Sequence, residues 1–63
     1  MIGIQVKNRR KELKITQQTL AELSGVSKNT IYKIERQQNN PTMDIIEKLA
    51  GVLGMKLVLE VKK

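Results

Sequence analysis

The chain has 63 residues and a formal net charge of +6, a size at which folding buries only about 60% of the surface that the unfolded chain exposes. It contains no cysteine and no histidine, which excludes disulfides and the commonest transition-metal ligands. With six scattered carboxylates and no glycine-rich phosphate loop, little remains from which to build a catalytic site. We therefore expect one small domain that is not an enzyme and needs no metal or cofactor. Since disulfides and the commonest metal ligands are excluded, a partner subunit is the remaining way to add stability to the thin core.

The positive charge is concentrated in the first 40 residues. Eight basic residues there face three acidic ones, Glu12, Glu22 and Glu35. A concentrated basic field favours a polyanion as the partner, with nucleic acid first and an anionic membrane second. The alternative is that the lysines only keep a small protein soluble. No apolar run approaches the roughly 18 residues that span a bilayer, and the N-terminus has no secretion signal. We expect a cytoplasmic protein with no membrane partner.

Helical spacing of apolar residues predicts a first helix at the N-terminus. Ile2, Val6 and Leu13 fall on one face of this helix. Arg10 lies on the same stripe, four residues after Val6, so one arginine is expected to face the core. Lysines and a second arginine, Arg9, occupy the other faces.

A short second helix is predicted from about residue 17 to residue 24. Thr16 can act as its N-cap, because the threonine hydroxyl can accept a hydrogen bond from a free amide in the first turn. Leu20 and Leu23 form the expected apolar pair of this helix. Gly25 ends it, since glycine tolerates the left-handed conformation that commonly closes a helix.

A third helix follows after only two intervening residues. Ser27 is its predicted N-cap, the helix runs to about Arg36, and Ile31 and Ile34 are its inward side chains. The polar segment QQNN, residues 37–40, then connects it to the next element.

A fourth helix is predicted to begin after Thr42, its N-cap, with Asp44 in the first turn where the helix dipole favours a negative charge. Gly54 closes this helix. Its apolar side consists of Ile45, Ile46, Leu49, Val52 and Leu53.

The last segment, MKLVLEVKK, changes to a period of two. Residues 55–63 alternate Met55, Leu57, Leu59 and Val61 with mostly polar positions, which is typical of a strand. A lone strand cannot satisfy its own backbone groups and therefore needs a partner.

The helix, turn and helix of residues 17–36 form one unit. Ala21 is small enough to let the two helices cross closely, and Gly25 lets the chain reverse between them. This is the arrangement expected of a helix-turn-helix, whose second helix enters the major groove of DNA. The predicted fold is mainly all-α, with four to five helices in a DNA-binding domain over 1–54 and a dimerisation tail over 55–63. The side chains expected inside the angle are Leu20, Val26, Ile31 and Ile34.

The run TQQTLAELSGVSKNTIYKIERQQNNPT resembles the Xre/Cro family of DNA-binding domains, the phage-repressor type. The likeness covers roughly residues 4–54, and it is specific because several spacings agree at once. The positions that carry it are Thr16-Gln17, Leu20-Ala21, Gly25-Val26-Ser27, Thr30-Ile31, Glu35 and Pro41-Thr42.

The resemblance implies that Lys28, Asn29 and Lys33 of the third helix contact base edges. Lysine can donate to the O6 and N7 atoms of guanine, and asparagine can pair bidentately with adenine, each good bidentate contact giving about 1–3 kcal/mol of discrimination. Thr30 and Tyr32 are auxiliary candidates for a thymine methyl group or a phosphate. The alternative for this row is an ordinary solvated helix face.

The resemblance also implies that Gln17, at the start of the second helix, holds a phosphate beside the free amides of that helix end. There are further candidates for phosphate contacts, but each of them, taken singly, is equally well explained as an ordinary surface residue. They are Thr16, Ser27, Arg9, Lys11, Lys14, Arg36, Gln38, Asn39 and Asn40.

Arg10 and Glu35 both lie on or beside apolar stripes. A charge that faces a core without a partner is costly, so these opposite charges predict a mutual salt bridge. The family has the same pair, tying the first helix to the recognition helix. It also commonly has glycine two residues after that glutamate, where this chain has Gln37. Either Gln37 accepts the left-handed conformation, or the helix continues and Asn39 or Asn40 takes the turn.

The tail differs from the many relatives that have a fifth helix there. It is similar in layout to HipB-type antitoxin repressors, in which the C-terminal strands of two subunits pair, and this implies a dimer interface of Leu57, Leu59 and Val61. The alternatives are a strand that folds against its own subunit and a disordered basic end.

These features predict a repressor that binds double-stranded DNA as a symmetric dimer. Two recognition helices would enter successive major grooves about 34 Å apart, so the operator should be an inverted repeat. One alternative is an antitoxin that also binds a toxin, such as a HipA-like kinase. Another is a protein-interaction module without DNA binding. RNA is disfavoured because Tyr32 is the only aromatic residue available for stacking on bases.

Overall fold

The computed structural model describes residues 2–56 of the chain. Within them lie four α-helices joined by short turns, which confirms the predicted mainly helical class. The predicted strand of residues 55–63, with its interface residues Leu57, Leu59 and Val61, lies outside the described residues apart from its first two positions, which are irregular. The helices are α1 (Ile2–Glu12), α2 (Gln17–Ser24), α3 (Lys28–Glu35) and α4 (Met43–Leu53).

The predicted N-caps are confirmed for α2, α3 and α4. Thr16, Ser27 and Thr42 each have an extended backbone, and each side-chain oxygen accepts a hydrogen bond from the amide three residues further on. Gly25 and Gly54 end α2 and α4 in the left-handed conformation, with φ of 76° and 66°. The start and end signals in the sequence therefore set the bounds of these helices.

The end of α3 settles the choice left open at Gln37. Gln37 has a φ of 58°, so this residue takes the left-handed turn itself. Its amide donates to the carbonyl of Ile34 at 2.9 Å, and the amide of Gln38 donates to the carbonyl of Lys33 at 2.9 Å. This pair of bonds is a Schellman motif, which satisfies the last carbonyls of the helix. Lys14 has a φ of 59° and closes α1 in the same way.

One core joins all four helices. α1 and α2 each pack against both α3 and α4. The core contains all four inward residues predicted for the helix-turn-helix and two of the five predicted for α4, Leu49 and Leu53. The other three, Ile45, Ile46 and Val52, are half-buried. The core consists of Val6, Leu20, Val26, Ile31, Ile34, Leu49 and Leu53.

Three predicted core positions are wrong. Leu23 is 63% exposed, because the inward stripe of α2 passes through Leu20 and Ala21 and leaves Leu23 beside it. Leu13 is 40% exposed because α1 ends at Glu12, so the helical period no longer sets the direction of this side chain. Ile2, at the first turn of α1, is 36% exposed.

Two contacts fix α1 against its neighbours. A Cβ atom at Gly3 would clash with the carbonyl oxygen of Ile34, so only glycine lets the start of α1 come this close to the end of α3. At the other end, Nε of Arg9 donates to the carbonyl oxygen of Leu53 at 2.8 Å and thereby satisfies the C-terminus of α4. In the described part of the chain, no helix is long and apolar enough to cross a membrane.

Candidate nucleic-acid interface

α3 has a buried face and an exposed face. Ile31, Ile34 and Glu35 are buried, whereas Thr30 is half-buried at the boundary. At 100° per residue, the exposed side chains cover an arc of about 140° around the helix. This arc carries four of the five predicted base-contact residues. Its members are Lys28, Asn29, Tyr32 and Lys33 of α3 and Arg36 at the C-cap.

The N-terminus of α3 is held by Ser27 and Thr30. Oγ of Ser27 accepts a hydrogen bond from the amide of Thr30 at 3.1 Å, and its hydroxyl donates to Oγ1 of Thr30 at 2.8 Å. Both hydroxyl groups are therefore engaged with each other, beside the exposed side chains of Lys28 and Asn29. This cap fixes the direction in which the first turn of α3 presents those two side chains.

A buried network ties α3 to α1 and α2. Nε of Arg10 donates to Oε2 of Glu35 at 2.8 Å, and Nη2 of Arg10 donates to Oε1 of Glu35 at 3.0 Å. Nη1 of Arg10 also donates to the carbonyl oxygen of Ile15 at 2.9 Å. The predicted salt-bridge partners are thus in bidentate contact, and the arginine additionally holds the turn that leads into α2.

Glu35 also accepts a hydrogen bond from Nε2 of Gln17 at 3.1 Å. Burial of the carboxyl group raises its pKa, but the hydrogen bonds from Arg10 and Gln17 and the charges of Arg10 and Lys7 outweigh this effect, so the pKa of Glu35 is held below its usual value. The hydrogen bond to Glu35 raises the pKa of Arg10, against the opposing effect of burial. The pair is charged at neutral pH and fixes the side-chain amide of Gln17.

The start of α2 and the start of α3 share one shallow surface depression. Lys28 of α3 lies there with Gln17 and Gln18 of α2 and with Thr16 and Lys14 of the preceding turn. Two predicted phosphate contacts at the N-terminus of α2 and one predicted base contact are therefore neighbours. An anion in this depression would meet lysine side chains, the amide of Gln17 and the free backbone amides of a helix N-terminus.

Four other phosphate candidates lie outside this depression. Asn39 and Asn40 line a depression beside Gly3, at the opposite end of α3. The guanidinium group of Arg36 lies 5.4 Å from the centroid of the Tyr32 ring, within the range of a cation–π contact. Arg9 is used for packing, since it caps α4 and pairs with Glu12 at 3.3 Å.

Two features of this site have only weak sequence signals. Nothing in the sequence connects Gln17 to Glu35, which are 18 residues apart. Gly3 precedes Val6 by three residues on the inward stripe of α1, and this spacing is the only sign of its close contact with α3. Among residues 2–56, no group of acidic side chains is arranged to hold a metal ion.

The chain resembles known regulators. Residues 6–59 match a family model described as helix-turn-helix. The immunity repressor protein of Bacillus phage phi105 is 39% identical over 56 residues, which are 89% of this chain and 39% of that protein. The HTH-type transcriptional regulator SinR of Bacillus subtilis is 40% identical over 58 residues, which are 90% of this chain and 52% of that protein.

A shorter relative is matched along most of its length. An uncharacterized HTH-type transcriptional regulator of Methanothermobacter thermautotrophicus is 32% identical over 56 residues, which are 89% of this chain and 81% of that protein. By contrast, the chain spans only about two fifths of the phage repressor and about half of SinR. No solved structure matches the chain significantly.

Proposed function

The chain belongs to the Xre-like helix-turn-helix family of DNA-binding transcriptional regulators, and from this premise we propose that it represses transcription by binding an operator as a symmetric dimer. It acts by binding and not by catalysis. Since its ligand is DNA, the protein would act in the cytoplasm.

The observation that carries this proposal is the two-sided character of α3. Its inner face is held in the core by Ile31 and Ile34 and by the buried carboxylate of Glu35, whereas its outer face is exposed and rich in hydrogen-bond donors. A helix anchored in this way can enter a major groove without losing its own packing. Helix-turn-helix proteins read base edges in this manner.

Side chains on the exposed face of α3 can be assigned contacts with the bases. Lys28 and Lys33 would donate to the acceptor atoms of guanine, and Asn29 would pair with adenine. Tyr32 and Thr30 would make auxiliary contacts, with Tyr32 held against Arg36. These contacts would specify the sequence of the operator.

Gln17 would position the protein on the phosphate backbone. One hydrogen of its side-chain amide is directed at Glu35, which leaves the second hydrogen available to a phosphate oxygen. The capping residues Thr16 and Ser27 mark helix ends whose free amides would add to this contact. Arg36, Asn39 and Asn40 are weaker candidates, and Arg9 is the weakest, because it already caps α4.

The dimer is the part of the proposal that depends on the tail. Leu57, Leu59 and Val61 would form its interface, through pairing of the C-terminal strands of two protomers. The thin core of a 63-residue chain supports association, since a second subunit buries further apolar surface. Sedimentation equilibrium should give twice the mass of the chain, and Leu59→Lys should reduce it to that of a monomer.

The test is selection of bound duplexes from a random pool. We expect an enriched inverted repeat whose half-sites are about 34 Å apart, and an affinity that falls steeply with salt. Gln17→Ala should weaken binding to every sequence alike, whereas Lys48→Ala, which removes an exposed lysine on α4, should change little. No enrichment at low salt would contradict DNA binding. Recovery of a stoichiometric second protein from the native host would instead favour an antitoxin.

A further inference from the structure

α1 and the turn after it carry five basic residues, which divide into two groups by their contacts. The two arginines are fixed within the protein: Arg9 donates to Leu53, and Arg10 is held by Glu35. The lysines remain exposed. Among residues 2–56, the ion pairs are Arg9–Glu12, Arg10–Glu35 and Lys48–Asp44, so none of the three lysines is paired with a described carboxylate. These lysines are Lys7, Lys11 and Lys14.

Two of the three lysines, Lys7 and Lys14, lie near the ends of α3. Lys7 and Lys11 are four residues apart and share a helix face. Lys7 is close enough to Glu35, at the C-terminal end of α3, for its charge to act on that carboxylate. Lys14 shares the surface depression with Lys28, at the N-terminal end of α3. Lys7 and Lys14 are therefore close to opposite ends of the recognition helix, and Lys11 lies between them along the chain.

The chemistry of arginine and lysine fits this division into fixed arginines and exposed lysines. Arginine suits fixed, bidentate contacts, which is how Arg10 is used, whereas lysine is a mobile point charge that can follow a phosphate. Lys14 is notable because its φ of 59° would favour glycine. A lysine thus occupies a position at which glycine would adopt the same backbone conformation with less strain.

We propose that Lys7, Lys11 and Lys14 form a phosphate-binding edge that contacts the DNA strand bordering the groove occupied by α3. This inference rests on the proposed function and extends it to a surface that contributes affinity without sequence preference. Each contact with a phosphate releases a counterion, so loss of one lysine should reduce the slope of log K against log salt by about 0.9 per bound protomer.

The first experiment compares wild type with the triple variant Lys7→Gln, Lys11→Gln, Lys14→Gln on one selected duplex and on one duplex of random sequence. Between 50 and 200 mM salt, the affinity of wild type should fall about 40-fold more, per protomer, than the affinity of the triple variant. The reason is that the slope of log K against log salt is smaller by about 2.7 in the variant. The reduction should be equal on both duplexes. An unchanged slope in a variant that remains folded by circular dichroism would overturn the inference and leave the proposed function standing. Absence of any DNA binding by wild type would defeat both.

The second experiment separates charge from backbone strain at Lys14. Lys14→Gly should raise the Tm and, at the same time, reduce the salt slope by about 0.9. Gln37→Gly is the matched control, because it removes the other left-handed non-glycine residue and should raise the Tm without changing the slope. Equal slopes for Lys14→Gly and Gln37→Gly would show that Lys14 does not contact phosphate.

Discussion

Replacing Glu35 with glutamine should remove a third or more of the stability of this domain. The carboxylate accepts hydrogen bonds from two nitrogen atoms of Arg10 and from Gln17, and its residue is only 7% exposed. In the Glu35→Gln variant, an amide group replaces one accepting oxygen and the charge of Arg10 remains buried without a counterion. Breaking a buried ion pair in this way costs about 3–5 kcal/mol. At roughly 0.05–0.15 kcal/mol per residue, the free energy of unfolding of the whole chain is only about 3–9 kcal/mol.

The assay is thermal and urea unfolding followed by circular dichroism, with a double-mutant cycle. At about 4–8 °C per kcal/mol, the Tm of Glu35→Gln should fall by at least about 12 °C. The cycle uses Arg10→Met, Glu35→Leu and their combination. The combined variant should be more stable than either of these single variants, because it replaces the pair with apolar groups and leaves no isolated charge. If the two single losses simply add in the combined variant, the two side chains are not energetically coupled, which would contradict a stabilising role for this ion pair.

The same network predicts the dependence of stability on pH. The pKa of Glu35 is lower in the folded than in the unfolded state, so the folded protein holds its proton less tightly. This carboxylate therefore contributes stability above its unfolded pKa of about 4.3, and the contribution is lost as the pH falls through the lower folded value. Unfolding curves from pH 7 to pH 2 should show this loss in wild type, and a smaller one in the variant that lacks both charges.

Other predictions concern the backbone. Gln37→Gly should raise the free energy of unfolding by roughly 1 kcal/mol, because glycine adopts the left-handed conformation without the strain of a side chain. Gly3→Ala should lower it by about 1–3 kcal/mol, since its Cβ would overlap the carbonyl oxygen of Ile34 and push α1 away from α3. Gly51→Ala is the matched control: it lies within α4 with open space around it, and should stabilise by about 0.5–1 kcal/mol. Urea unfolding measures all three, and a stable Gly3→Ala variant would contradict the packing of α1.

Signals that act locally made the helices predictable. The capping hydroxyl groups of Thr16, Ser27 and Thr42 and the terminating glycines Gly25 and Gly54 act within one turn of the chain, so they can be identified from the sequence. The position of Arg10 was equally informative, because a charge on an apolar stripe requires a partner wherever the chain supplies one.

Periodicity failed where a helix was too short or had already ended. In α2, Leu20 and Leu23 both fit a helical spacing, and only the packing of α2 against its neighbours shows that Leu23 lies outside the contact. Leu13 follows the end of α1, which the sequence did not mark, because Lys14 takes the left-handed turn in place of a glycine. The bond between Gln17 and Glu35 depends on how two helices meet, which no local pattern specifies.

Whether α3 reads DNA is tested by measuring base preference at single positions of the operator. Binding of wild type and of Asn29→Ala is compared on the selected duplex and on its variants with one altered base pair in each half-site. Asn29→Ala should lose discrimination at one position by about 1–3 kcal/mol and keep it at the others. If the variant retains the full preference of wild type at every position, the exposed face of α3 does not read DNA through this residue.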